Sequence, residues 1–144
     1  MNDYTAIIQA LISISPVPVI FSVPRAGIDG YFHMKEKRIV IRSSLSPPKT
    51  VHVFLHELTH ALTWEEPNIS CDTAELIAES VSLIAMEWLN ITVDSYLYLL
   101  KYNSDLTLPE FHQHAHMIQK TARFIIESLK ERGIRPCTTA SDRR

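Results

Sequence analysis

The sequence predicts an α+β domain, on three observations. Between about residues 17 and 41, apolar and polar residues alternate in short runs broken by prolines and glycines, the pattern of a small sheet. From residue 48 onward the apolar residues recur at helical spacing instead. At the junction stands Ser46-Pro47-Pro48, a helix start in which Ser46 serves as N-cap and Pro47 fits the first helical position, where its missing N–H costs nothing.

Taken in order, Tyr4, Ile7, Ile8, Leu11 and Ile12 predict a short amphipathic helix over residues 3–13, ended by Ser15 and Pro16-Val17-Pro18. Val17, Val19 and Phe21 alternate with Pro18, Ile20 and Ser22 as a strand. Proline cannot donate to a ladder, so this strand belongs at a sheet edge. Gly27 to Gly30 is a turn. Tyr31-Phe32-His33-Met34 and Arg38-Ile39-Val40-Ile41 flank Lys35-Glu36-Lys37 as a β-hairpin. A helix over 48–63 follows, with Val51, Phe54, Leu58, Ala61 and Leu62 on one side and His56 and His60 on the other. After the loop 65–68, a helix from about Thr73 to Asn90 carries the stripe Ile77, Val81, Ile84 and Trp88, with Glu75 and Glu79 opposite. Two more helices are expected, over about 93–102 and 109–132, the latter ended by Gly133 and Pro136. Residues 1–136 read as a single domain and 137–144 as a disordered tail.

Composition narrows the function. A chain of 144 residues that is 46% hydrophobic can bury one core. Its net charge of −2, with no basic block, makes a nucleic-acid partner or an anionic membrane surface unexpected. The apolar run Ile7–Ile20 follows Asp3 rather than a basic segment and is interrupted by Pro16 and Pro18, which argues against a signal peptide. Glu79 and Glu87 likewise spoil the run Leu76–Ile91 as a membrane span. A cytoplasmic protein is expected. Cys71 and Cys137 have no Cys-x-x-Cys partner and read as free thiols.

The chemistry lies in His56-Glu57-Leu58-Thr59-His60. Positions i and i+4 share a helix face, so two imidazoles can hold one Zn²⁺ with Glu57 beside the remaining coordination position. This is the H-E-x-x-H pattern of zinc-dependent hydrolases. A catalytic zinc takes three protein ligands, and Glu75, which opens the next helix, is the best-placed third. Asp72-Thr73-Ala74-Glu75 also spells a capping box, in which Glu75 would only fold back onto its own helix. Both readings stand at this point. Glu79, one turn on, could accept a hydrogen bond from the far ring nitrogen of His56 and fix its tautomer.

Zinc would lower the pKa of a bound water towards about 7 and polarise a substrate carbonyl, with Glu57 moving the proton to the leaving amine. Tyr96, with Tyr31 behind it, is the candidate donor to the developing oxyanion, although a helical tyrosine more often packs in the core. His52, one turn before His56, falls outside the motif and is expected either to support the site from behind the ligands or to be solvated. His112, His114 and His116 read as an exposed helix face.

The hairpin ending in Arg38-Ile39-Val40-Ile41, the segment His56 to Ala61 and the segment Ala74-Glu75-Leu76-Ile77-Ala78-Glu79 together resemble the small zincin domain of ImmA/IrrE-type metallopeptidases. They are most similar to the metallopeptidase domain of ArdC-like antirestriction proteins, over roughly residues 28–130, including Tyr96-Leu97-Tyr98-Leu99-Leu100-Lys101. The resemblance implies a minimal zincin-like fold and a gluzincin site, with His56, His60 and Glu75 as metal ligands, Glu57 as base and Glu79 as the supporting acid four residues further on. It implies a protein or peptide substrate, in ImmA-type members a regulatory repressor of a mobile element. ArdC-like proteins carry an N-terminal single-stranded-DNA-binding domain with no counterpart ahead of this motif, so the expectation does not extend to DNA. The alternative is a non-proteolytic regulatory or antirestriction factor that keeps the metal for structure and binds a protein or DNA partner.

Overall fold

The computed structural model describes residues 3–92 and 108–136. Among these are four helices, α1 (Tyr4–Ile14), α2 (Pro47–Thr63), α3 (Cys71–Leu89) and α4 (Leu108–Glu131), and three strands, β1 (Val19–Ser22), β2 (Gly30–His33) and β3 (Arg38–Arg42). The architecture is α+β. The predicted helix 93–102, with Tyr96, and the tail 137–144, with Cys137, lie outside the described residues.

The sheet has the order β1-β3-β2 and is mixed: β1 runs parallel to β3, with Val19 opposite Ile39, and β2 antiparallel to it, with Tyr31 opposite Val40. The proline-preceded strand does lie at an edge, where Pro18 contributes only its carbonyl, accepting from Ile39 N–H at 2.9 Å. β3 is central, which is why Ile39, Val40 and Ile41 are all buried. The segment between β1 and β2 is fastened by Arg42, whose guanidinium donates to the carbonyls of Pro24, Arg25 and Ile28.

One apolar core joins the sheet to the helices. Ile7 and Leu11 of α1, Ile39 and Ile41 of β3, Val51, Phe54, Leu55 and Leu58 of α2, Ile77, Val81 and Ala85 of α3, and Ile118, Ile125 and Leu129 of α4 form a single buried cluster. The burial of α2 follows its predicted apolar side, with Leu55 added and Leu62 only partly covered.

α3 departs from its predicted stripe: Ile77 and Val81 are buried, but Ile84 is exposed and Trp88 half-buried. This helix packs against both α2 and α4. Its buried positions are therefore filled partly by small residues, Ala78, Ser82 and Ala85, which permit close approach and which a search for large apolar residues passes over. Asn90 closes α3 in the left-handed conformation (φ 59°), with Ile91 N–H returning to Met86 O. Gly133 (φ 80°) and the bond from Ile134 N–H to Leu129 O end α4 in the same way.

Candidate metal centre

The site depends on where α2 and α3 begin. Ser46 is the N-cap residue of α2, as its sequence suggests, yet its side chain makes no capping bond; Thr50 instead donates from both N–H and Oγ1 to the Ser46 carbonyl. The helix turns its buried apolar side to the core and leaves His56, Glu57 and His60 facing α3 and β2.

α3 starts two residues earlier than predicted. Its N-cap is Ser70, whose Oγ accepts from Thr73 N–H at 3.1 Å. Asp72 and Glu75 therefore do not form a capping box: Glu75 sits in the second turn, beyond reach of the helix N-terminus. Asn68, in the left-handed region at φ 63°, helps the short connection turn back so that α3 lies alongside α2.

With that geometry Glu75 spans the two histidines. His56 Nε2 lies 2.9 Å from Glu75 Oε2 and His60 Nε2 lies 3.0 Å from Glu75 Oε1. The imidazoles stand edge to face, with ring centroids 5.0 Å apart. Each of the three residues offers one ligand atom, all within 4.8 Å of one another, so the group could hold a metal ion. A tetrahedral ion with bonds near 2.1 Å sets its ligand atoms about 3.4 Å apart, so the carboxylate need retreat only by roughly half an ångström to admit one. Two nitrogens and one carboxylate oxygen are a donor set that suits zinc, with a position left over.

Support for His56 comes from a deeper layer. Glu79 Oε1 is 2.5 Å from His52 Nε2 and accepts from Ser82 Oγ at 2.8 Å, while Glu79 Oε2 is 3.7 Å from His56 Nδ1. That last separation is an ion-pair distance and too long for a hydrogen bond. The expected Glu79–His56 bond is thus replaced by a shared cluster in which the buried His52 is the primary partner. Sequence reasoning placed His52 outside the ligands but did not pair it with Glu79. The available signal was its position, since His52, His56 and His60 form one ladder at i, i+4 and i+8 facing the carboxylates of α3.

The electrostatics follow. Burial alone would lower the His56 pKa, but the Glu75 and Glu79 carboxylates, with Glu57, outweigh it and hold it up at about 10. His56 and His60 hold the Glu75 carboxyl well below the usual range. Burial would raise Glu79, yet its bond to His52, with His56 close by, brings it down to about 2. Glu57 moves the other way. Its burial raises its pKa above 4.5, against the opposing pull of His56 and His60 and of the Phe32 amide.

That amide belongs to the edge of the sheet. Arg42 N–H donates to Asp29 O at 2.8 Å, which makes Asp29–Arg42 a hydrogen-bonded pair. By antiparallel alternation, Tyr31–Val40 and His33–Arg38 are bonded pairs too, and Gly30 and Phe32 point their N–H and C=O groups away from β3. Among the described residues no strand covers that side of β2. Gly30 is required there by close approach: a Cβ would fall 2.6 Å from Val53 Cγ1 and 3.1 Å from Val40 O, and 3.5 Å from Glu57 Cγ.

Two hollows meet over the site. One, of about 520 Å³, is lined by His56, Glu57, His60 and Glu75 and runs past Tyr31, Phe32, Met34, Trp64 and Ile69. The other, of about 390 Å³, shares His56, Glu57 and Glu75 and runs past Asp29, Lys49, His52 and Glu79. Tyr31 thus stands on the wall of the cleft, whereas Tyr96 is outside the described residues. Cys71 is a free, exposed thiol at the start of α3. On α4, His112 and His116 are exposed, whereas His114 is half-buried, and none of the three belongs to this group. Among the described residues no helix is long and apolar enough to cross a membrane. Comparison with family models, with curated proteins and with solved structures finds no match.

Proposed function

We propose that the chain is a zinc metallopeptidase with a minimal zincin-like domain, in which His56, His60 and Glu75 hold the metal and Glu57 is the general base. The observation that carries this reading is the placement of Glu75, one oxygen on each imidazole Nε2, beside a buried Glu57. Bound zinc supplies a Lewis acid that acidifies water and polarises a carbonyl.

The remaining work falls to the chain. The raised pKa of Glu57 makes it a better proton acceptor than a solvated carboxylate, suited to taking a proton from water and passing it to the leaving amine. The Phe32 amide restrains the carboxylate so that it faces the cleft. Glu79, itself held by His52, places its charge behind His56 at ion-pair distance and orients the ring. Tyr31 is the described phenol placed to donate to a developing oxyanion. The side of β2 that no described strand covers favours a peptide among possible substrates, because Gly30 N–H and C=O and the Phe32 carbonyl are main-chain groups that an extended chain can pair with.

Zinc analysis after reconstitution, followed by peptide cleavage, tests the reading. Glu57→Gln should retain zinc and lose about 10²- to 10⁴-fold in kcat. A protein that binds no zinc, or cleavage that survives Glu57→Gln unchanged, would overturn it.

A further inference from the structure

The two halves of the cleft differ in chemistry. Towards the β2–β3 turn Phe32, Met34, Trp64 and Ile69 line a mainly apolar surface, with Thr63, Glu66 and Ser70 also in the lining, the Trp64 indole about a third exposed and Met34 mostly exposed. Trp64 has two neighbours: its ring centroid is 6.4 Å from that of Phe32, and Lys37 Nζ lies 5.7 Å from the centroid over a ring face. Towards the other end of β2 the lining includes Asp29, Lys49, His52 and Glu79, polar and charged groups that are largely engaged with one another, beside Ile28 and Val53. The metal-binding group lies between.

The strand edge gives these halves a direction. A peptide joining β2 pairs best antiparallel, since antiparallel ladders are the more stable per residue. It would then enter at the His33 end and leave at the Gly30 end. Its N-terminal part crosses the apolar half and its C-terminal part the charged half. Resting on the metallopeptidase reading above, we infer that the substrate is an extended segment with a large apolar side chain on the carbonyl side of the cleaved bond, seated on Trp64 between Met34 and Ile69. The residues on the amine side meet polar walls and are selected against bulky apolar groups.

The chain has two tryptophans, and Trp88 lies on α3 outside the cleft lining, so a Trp88→Phe background leaves Trp64 as a local reporter. In zinc-loaded protein, sequencing the products of a mixture of end-blocked peptides should show Leu, Phe or Met enriched immediately before the cut. Trp64→Ala should lower the ratio of kcat/KM for a Leu peptide over its Ala counterpart by about tenfold. Met34→Glu, at an exposed position that leaves the core intact, should shift the same ratio in the same direction. In parallel, zinc-loaded Glu57→Gln/Trp88→Phe should change Trp64 emission on titration with the Leu peptide at concentrations where the Ala peptide does nothing.

Cleavage without apolar enrichment, or with enrichment only after the cut, overturns this inference and leaves the metallopeptidase reading intact. Apolar peptides that perturb Trp64 but are never cut keep the assignment of the cleft and remove the hydrolase. Neither cleavage nor a Trp64 response overturns both.

Discussion

The two faces of α2 are built from the same seventeen residues and do opposite things. One face, with Val51, Phe54, Leu55 and Leu58, is fully buried in the apolar core. The other gathers His52, His56, Glu57 and His60 against two carboxylates of α3. The first face stabilises by removing area from water, and its contribution does not depend on pH or metal. The second collects charges that are costly to bury and are held by mutual pairing. Stability and chemistry are thus separated by half a turn of one helix, and substitutions should separate them too.

The largest effect is expected on the apolar face. Phe54→Ala should cost about 3–5 kcal/mol of stability, measured by denaturant unfolding, because it opens a cavity where α2 meets the rest of the core. Zinc affinity measured on the fraction still folded should be unchanged. A large loss of affinity there would mean the two faces are not independent.

Next comes the polar face. Glu75→Gln should weaken zinc binding by at least about 100-fold in competition with a chelator, while the unfolding midpoint of the metal-free protein moves little, since Glu75 is partly exposed. A midpoint shift as large as that of Phe54→Ala would assign Glu75 a structural role instead. Glu79→Gln should be milder, about 10- to 100-fold in affinity, because it removes charge behind His56 but can keep a hydrogen bond to His52.

Acidity sharpens the contrast further. In metal-free protein, Glu79 is lowered to about 2 and Glu75 is lowered as well, so their stabilisation is full above about 4.5 and fades as pH falls towards 2. His56 is raised to about 10, so its contribution is full below 6.5 and fades as pH rises through 10. Unfolding free energy should peak between these limits, with the apolar face supplying a constant background. At pH 8 zinc must displace the His56 proton, so calorimetric titrations in buffers of different ionisation enthalpy should report release of about one proton.

How much of this was legible in the sequence varied with the kind of signal. The faces of α2 were legible because a period of 3.6 is a property of the chain itself. The start of α3 was not. Asp72-Thr73-Ala74-Glu75 is the stronger cap by residue type, and only the fold decides that Ser70 takes the position and frees Glu75 for the histidines. The Glu79–His52 pair was hidden for a related reason: two residues twenty-seven apart meet only once the helix pair is aligned. Ile84 and Trp88 misled because apolarity marks a buried stripe poorly on a helix covered from two sides, where Ala78, Ser82 and Ala85 do the packing. The Phe32 amide carries no residue signature at all, since any residue but proline would provide it.

The missing side chain of Gly30 has a consequence for how the cleft could change. Val53 fills most of the space a Cβ would need, with the Val40 carbonyl beside it, so the gap between the sheet edge and the helix is set largely by positions 30 and 53, neither of which is a ligand. Enlarging residue 30 while trimming Val53 to alanine would exchange volume between them and leave the histidines undisturbed. The aperture is then a dimension that can be retuned in paired steps, like a shim moved from one side of a joint to the other.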